Sequence, residues 1–511
     1  MNFAPPSIDY GAIAPILIVF SAAVVSVLVE AFVPRVARRY TQLVLVFGSL
    51  IAAVVMVVRA AGTREATAGD AIVIDGPALI LQGLILILAV LGAALLAERT
   101  VDPVGDAFAA RVSTLPGSED EKQFTQKGYL QTEIWPLMLF SVTGMLLFVS
   151  SNNLVLLFVA LEVMSLPLYL MTGMARRRRL LSQEAALKYF LLGAFSSAFL
   201  LYGMALIYGF TGTFFLSGIA NAVSSTTSGG VGLLIGVAMV VIGLLFKIGV
   251  VPFHQWVPDV YQGAPTPVTG FMAATVKVAA FGALLRVLYV PFGGLRWDWE
   301  PLIWIVAVVT MLFAVIVAIT QGDIKRMLAY SSIAQAGFIL IGVSAASPSG
   351  LSSTIFYLIA YGFATIGAFA VISIVRDRDG GEATTIAAWA GIGRTSPLVA
   401  TTFAIFMLAL AGIPLTSGFV AKFAVFAAAI EAGNVWLVIV GVVASLIAAF
   451  FYVRVIVVMF FTAPTETSAK VAVPSAFTTV ALAAGAAVTV ILGVVPQPVL
   501  DLVANAGVFL R

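Results

Sequence analysis

Four lysines and one glutamate stand where long apolar runs leave them no water. Glu162 lies in LFVALEVMSLPLYL, Lys188 in ALKYFLLG, Lys247 in LLFKIGVVPFHQW, Lys277 in AATVKVAAF and Lys422 in GFVAKFAVF. If these runs cross a bilayer, each charge at its centre costs about 2.5–3.5 kcal/mol. Five facing lipid would cost on the order of 15 kcal/mol, so they are expected to face protein or water and one another. Lys277 stands 13 residues after Ala264, about 20 Å along a helix, and cannot reach a surface by stretching. Lys247, 18 and 15 residues from the ends of its run, cannot either. Lys188, four residues after Glu184, can snorkel or pair with it.

Glu162 reads as the only carboxylate deep in a helix. An isolated buried acid or amine goes neutral, whereas a close pair holds both partners charged. A glutamate–lysine pair that is made and broken is therefore a proton valve; a fixed pair would only lock two helices. His254, in VVPFHQW just past Pro252, has the ordinary pKa of about 6.5 that suits a proton shuttle. It could equally cap carbonyls freed at the proline, and the sequence leaves both open. Asp259 is expected to cap a short helical segment, and Arg176–Arg179 to anchor one face. With no cysteine and one histidine, no thiolate, disulfide or multi-histidine metal centre is expected. No phosphate-cradling GxxxxGK loop occurs, and the basic residues form no solvated face for nucleic acid.

The elements that must hold these side chains are membrane helices. Hydrophobic residues make up 61% of the chain and charged residues 10%, against about 25% charged in soluble domains. Mean hydropathy is +1.10. Apolar stretches fall near 12–33, 41–60, 76–97, 133–150, 154–174, 184–210, 229–262, 264–290, 301–320, 326–346, 352–375, 396–430, 435–461 and 474–500. Backbone groups in a bilayer are satisfied within their own segment, so these are helices, about fourteen. The alternation of a membrane β-barrel is absent. The first run reads as a spanning helix rather than a cleavable signal, because no basic segment precedes it. The polar insertion 98–132, with LPGSEDEK, reads as a flexible or docking loop.

With fourteen crossings, eighteen of the 27 basic residues fall on one side, among them Arg35, Arg38, Arg39, Arg176–Arg179, Lys325, Arg326 and Lys127. Only Arg59, Arg64, Arg286, Arg296 and Arg511 fall on the other. The positive-inside rule makes the richer side cytoplasmic and puts both termini outside. Two stretches are long and broken: 229–262 at Pro252 and Pro258, and 396–430 by GIPLTSG around Pro414. Five helices separate corresponding breaks, and an odd number turns the second unit upside down. The expected architecture is an all-α polytopic membrane protein with two inverted five-helix repeats, each with a Pro-broken helix. Residues 1–132 form three helices and a loop, 133–290 the first repeat, 291–461 the second and 462–511 a last helix.

The run from Lys247 to Lys277, KIGVVPFHQWVPDVYQGAPTPVTGFMAATVK, resembles the signature of the antiporter-like membrane subunits of respiratory complex I. LEVMSLPLYL, ALKYFLLGAFSSAFLLYG, DIKRMLAYSSIAQAGF and AGIPLTSGFVAKF match in the same order, over roughly residues 130–460. The resemblance implies proton translocation, with Glu162 paired to Lys247, Lys188 on the helix between, Lys277 at the centre and Lys422 at the exit. It implies other membrane and hydrophilic subunits as partners, which would carry NADH, flavin, iron–sulfur clusters and quinone, this chain holding none. It implies a bacterial cell membrane. Where the family often has histidine in the SSIAH segment, Gln335 stands here; glutamine orders water but takes up no proton. The rivals are a subunit of a multi-component sodium/proton antiporter, using the same lysines, and a scaffold that merely holds its neighbours.

Overall fold

The computed structural model describes residues 8–510 except 104, 116–117, 127–131 and 226–229. Lys127, Arg511 and part of LPGSEDEK, used in the sequence reading, lie outside the described residues, as do the two terminal tips. The chain is helical nearly throughout. In order come α1 (Ala14–Phe32), α2 (Arg35–Arg59), α3 (Gly76–Leu96), α4 (Glu119–Gln126), α5 (Ile134–Ser150), α6 (Leu154–Thr172) and α7 (Arg179–Thr211). Then follow α8 (Leu216–Ser225), α9 (Val231–Ile248), α10 (Trp256–Gly263), α11 (Thr266–Tyr289), α12 (Arg296–Ile319), α13 (Ile324–Ser344) and α14 (Pro348–Ile374). The last are α15 (Ile392–Thr395), α16 (Pro397–Ala411), α17 (Ser417–Glu431), α18 (Val435–Phe461), α19 (Ala476–Val494) and α20 (Gln497–Asn505).

Among the described residues, 12 helices are long and apolar enough to cross a membrane. The shorter apolar α5 and the broken pair α16–α17 complete the fourteen expected stretches; α9 and α10 together occupy the expected run 229–262. The final stretch is shorter than expected, because α19 ends at Val494 and Pro496 starts the separate α20. Two short antiparallel pairs, β1 (Glu65–Thr67) with β2 (Ile72–Ile74) and β3 (Val375–Arg376) with β4 (Lys470–Val471), sit in the connections.

The centre of the bundle is α11, buried along its whole spanning window, with α13 and α14 nearly as buried beside it. The outer helices α1, α2, α7, α18 and α19 bury a third or so of theirs, as lipid-facing helices do. Side chains cap several starts: Asp75 accepts from Ala78 N at 2.9 Å, and Asp323 from Arg326 N at 3.0 Å. Both breaks have the same construction. α9 stops at Gly249 (φ 81°) before Pro252, and α16 at Gly412 (φ 83°) before Pro414. Glycine takes this left-handed conformation without a Cβ penalty, and the proline cannot continue the ladder. Each break leaves carbonyls of the last turn without helical partners.

Of the two alternatives for the polar insertion, flexible or docking, residues 98–115 take the second: Asp102 pairs with Arg177 at 2.9 Å and Asp106 with Arg176, while Phe108 is fully buried. The arginine run thus ties this stretch to the bundle. Arg286, counted among the charges of the other side, lies fully buried in the last turn of α11 against the equally buried Asp75. Buried carboxylates also stand at helix starts: Asp75 caps α3 and is paired with Arg286, 211 residues away, and Glu300 near the start of α12 is paired with Arg296, four residues away.

Candidate functional site

Lys247 sits in the last turn of α9, enclosed by α6, α7 and α10. Its Nζ donates to Ser165 Oγ at 2.8 Å and to Tyr189 OH at 3.3 Å. It lies over the rings of Tyr169 and Tyr189, at 5.6 and 5.1 Å from their centres. Tyr189 in turn stacks on Trp256 of α10. Hydroxyls and ring faces are thus the groups in direct contact with this amine. Glu162, on the same face of α6 as Ser165, accepts a short hydrogen bond from Ser197 Oγ of α7. No ion pair within 4 Å joins Glu162 to Lys247 among the described residues; both face the α6–α7 seam, each on its own serine.

Lys188 is on α7, which with 33 residues measures about 50 Å and overruns a bilayer core of about 30 Å. The lysine is accordingly 43% exposed and pairs with Glu184 at 2.7 Å, as its spacing implied. It also pairs with Asp259 of α10 at 2.8 Å, and Asp259 pairs with Arg326 of α13 at 2.7 Å. Asp259 is therefore an ionic bridge between α7 and α13 and not the expected helix cap. His254 lies in the turn between α9 and α10, edge-on to Phe313 at 4.9 Å. The imidazole hydrogen-bonds the backbone of Pro252 at the break, the contact that the capping alternative expects.

Lys277, in mid-α11, donates to the carbonyls of Ile248 at 3.1 Å and Ser332 at 2.7 Å. Ile248 O is freed by the Gly249 break and is adjacent in the chain to Lys247. Lys422, one turn into α17, donates to Ala411 O at 2.9 Å and Ser445 Oγ at 2.7 Å. Ala411 O is freed by the Gly412 break. The broken helices thus supply the acceptors that two of the buried ammonium groups need. Lys277 and Lys422 are 2% and 5% exposed.

Between these two lysines lies a hydroxyl network that sequence reasoning missed. Ser332 Oγ bonds Tyr361 OH at 2.7 Å and Tyr261 OH at 3.3 Å. Ser331 Oγ bonds Tyr452 OH at 2.5 Å, and Gln335 Nε2 reaches that hydroxyl at 3.2 Å and Leu410 O at 2.7 Å. Tyr357 OH donates to Gln335 Oε1 at 2.5 Å. A small cavity of about 10 Å³ beside Ser331, Ser332, Tyr361 and Thr365 is near the size of one water. The signals were in the sequence: Ser331 and Ser332 inside an apolar run, and Tyr357 and Tyr361 at i,i+4 on one face of α14. Among the described residues no cluster of three or more His, Cys, Asp or Glu side chains could hold a metal.

The family model described as "NADH:quinone oxidoreductase/Mrp antiporter, TM" matches residues 151–448. Two solved structures share the fold closely. A chain of the Mrp complex from Dietzia sp. DQ12-45-1b has TM-score 0.81 and 25% identity, covering 97% of this chain and 96% of its own. A chain of respiratory complex I from Thermus thermophilus with bound aureothin has TM-score 0.78 and 31% identity, covering 97% and 100%. Backbone similarity barely separates the two. Sequence does: the NADH-quinone oxidoreductase subunit N of Rhodococcus opacus (strain B4) is 58% identical, over 99% of this chain and 97% of its own. The chain belongs to the subunit N family of NADH-quinone oxidoreductases. It is accordingly a multi-pass membrane protein of antiporter-like fold and a subunit of a translocating enzyme complex.

Proposed function

We propose that protons cross the membrane through this chain along Lys188, Lys247, Lys277 and Lys422, driven by quinone reduction in partner subunits of the NADH-quinone oxidoreductase. The observation that carries the reading is the set of three buried amines, each held by hydroxyls, backbone carbonyls or aromatic ring faces, with no carboxylate within 4 Å among the described residues. Such acceptors hold a proton on nitrogen without trapping it as a carboxylate would. The arginine-rich face is cytoplasmic, and both termini lie on the outer side of a bacterial inner membrane. Protons enter near Lys188 and the Glu184–Asp259–Arg326 cluster, reach Lys247, pass to Lys277 by way of the α9 break and leave by Lys422. His254, in the turn after the α9 break, is the shuttle beside that passage.

Glu162 and Lys247 are the valve, and the arrangement with each on its own serine is its open state. Closing it requires Glu162 to leave Ser197 and Lys247 to leave Ser165. The two broken helices belong to two inverted five-helix repeats, 133–290 and 291–461, and the matching glycine–proline breaks support that division. Gln335 cannot carry a proton itself, so its neighbours Tyr357, Tyr452 and Ser331 order the water or hydroxyl that does. NADH, flavin, iron–sulfur clusters and quinone belong to the partner subunits.

Lys247→Ala or Glu162→Ala is expected to lower coupled proton pumping while the complex still assembles. Normal proton-to-electron stoichiometry in both would remove these residues from the path. The Mrp-like backbone supports a second reading, a sodium/proton antiporter subunit. Co-purification with flavin- and iron–sulfur-containing subunits decides for the first, and with small hydrophobic partners alone for the second.

A further inference from the structure

Directly beneath Lys277, at the arginine-rich end of the bundle, a cleft of about 370 Å³ opens between the end of α10, the start of α13 and the turn after β3. That volume holds on the order of ten waters. Its charged lining is nearly balanced, five basic against four acidic residues, so it suits water and protons better than an anion. At its floor stands Glu382. One carboxylate oxygen accepts from Thr266 N, the first residue of α11, at 3.3 Å. The other meets Lys325 Nζ at 3.4 Å, and Lys325 also donates to Ala264 O at 2.7 Å.

Thr266, fully buried, turns both its backbone N–H and its hydroxyl to Glu382. Arg376, which faces Glu382 across an isolated backbone bridge, has its Nε buried without a partner among the described residues. Buried polar groups are nearly always satisfied, so such an exception against a cleft of this size marks where water belongs. Thr266, Thr269, Ala273 and Lys277 lie on one face of α11 by their spacing, and 11 residues span about 16 Å. On α13, Lys325, Leu328 and Ser332 share a face in the same way. Ser332 O is a ligand of the Lys277 ammonium.

We propose that this cleft is a second proton-collecting mouth, in which Glu382 takes protons from water and passes them by Thr266 and water along the small-residue face of α11 to Lys277. The step is a plain proton transfer: the carboxyl of Glu382 returns to carboxylate, and an unprotonated Lys277 Nζ becomes ammonium. The proposal rests on the proton-translocating reading and refines it.

The charges facing Glu382 favour rapid release. Lys325 comes from α13 and Arg376 from β3, while Arg178 reaches the Glu382 carbonyl from the α6–α7 connection. Asp377 and Asp379 on its own turn, and Asp102 with Arg177, line the outer cleft. Burial pushes the Glu382 pKa up, but Lys325, Arg376 and the Thr266 bonds more than offset this and leave it below the usual carboxylate range.

The test is Glu382→Gln in the assembled complex, in inside-out membrane vesicles, with NADH-driven proton uptake measured at several pH values beside Lys277→Ala. A lost collector limits the rate most where protons are scarce. Pumping is therefore expected to fall several-fold at about pH 8.5, to approach the parent at about pH 6, and to recover in Glu382→Asp. A deficit equal at every pH would make Glu382 a structural tie and overturn the proposal. Should Glu382→Gln instead remove the complex from the membrane, Thr266→Val, which keeps the side-chain shape, repeats the test: the same pH-dependent deficit supports the proposal, and a pH-independent deficit or none overturns it. Normal pumping in Glu382→Gln beside impaired Lys277→Ala overturns this mouth alone; normal pumping in both overturns the translocation reading with it.

Discussion

Lys277 Nζ donates at 3.1 Å to the carbonyl of Ile248, a group that exists as a free acceptor only because α9 stops there. Lys422 does the same with Ala411 at the end of α16. The proline–glycine breaks are thus not packing accidents. They expose backbone oxygen inside the bundle, where an ammonium would otherwise be stranded.

Gly412→Ala tests that link. A Cβ at position 412 would lie 2.8 Å from Lys422 Cδ, and the backbone there has φ +83°. The left-handed strain alone costs about 1–2 kcal/mol, and the lysine must also move off Ala411 O. Proton pumping should fall several-fold with the complex still present, measured as the initial rate of NADH-driven vesicle acidification. Parental pumping would show that the Lys422–Ala411 bond is not needed.

Gln335 offers a second test, because its amide joins Tyr357, Tyr452 and Leu410 O. Gln335→Leu leaves Tyr357 OH and Leu410 O unpaired at about 1–3 kcal/mol each, while Tyr452 keeps Ser331, and should lower both melting temperature and pumping. Gln335→His can keep a donor and an acceptor at the site and should retain most of the pumping. Equal pumping by the leucine variant would exclude the network from the path.

The Asp75–Arg286 pair is structural in this account. Both are fully buried, the pair is bidentate at 2.9 and 3.0 Å, and Leu510 N and the Phe509 ring close over it. Asp75→Ala leaves a buried guanidinium uncompensated, which costs about 3–5 kcal/mol. Immunodetection should show strongly reduced chain in the membrane. Full accumulation with selective loss of pumping would instead place the pair in the conduction path.

Glu98 gives a pH signature. Burial raises its pKa, but the polar groups of Thr478, Thr100 and Ser475 around it bring it down to about 2. The folded value lies below the ordinary carboxylate pKa of about 4.3. Its stabilisation is therefore complete above that ordinary value and is lost as pH falls toward about 2. Glu98→Gln should melt below the parent at about pH 7, with the gap closing toward about pH 3. A gap independent of pH would contradict this assignment.

Much of this was legible in the sequence, for physical reasons. Apolar run length counts crossings, Gly249 and Gly412 with their prolines mark breaks, and a lysine at mid-run has no surface to reach. What could not be read was pairing across distance. Asp259 looked like a cap from its place before a short helix, yet it bridges Lys188 and Arg326, 71 and 67 residues away. The pairing of Arg286 was hidden because its partner Asp75 is 211 residues distant. The Ser331–Tyr452 and Ser332–Tyr361 bonds were hidden because single hydroxyls in apolar helices usually bond their own backbone.

The most direct test is the ratio of protons pumped to electrons passed from NADH to quinone in membranes carrying Lys277→Ala. With the complex present at parental amount, shown by NADH oxidation with an artificial acceptor, the account predicts a clear loss of pumping. An unchanged ratio at an unchanged rate would mean that protons do not travel by the central lysine.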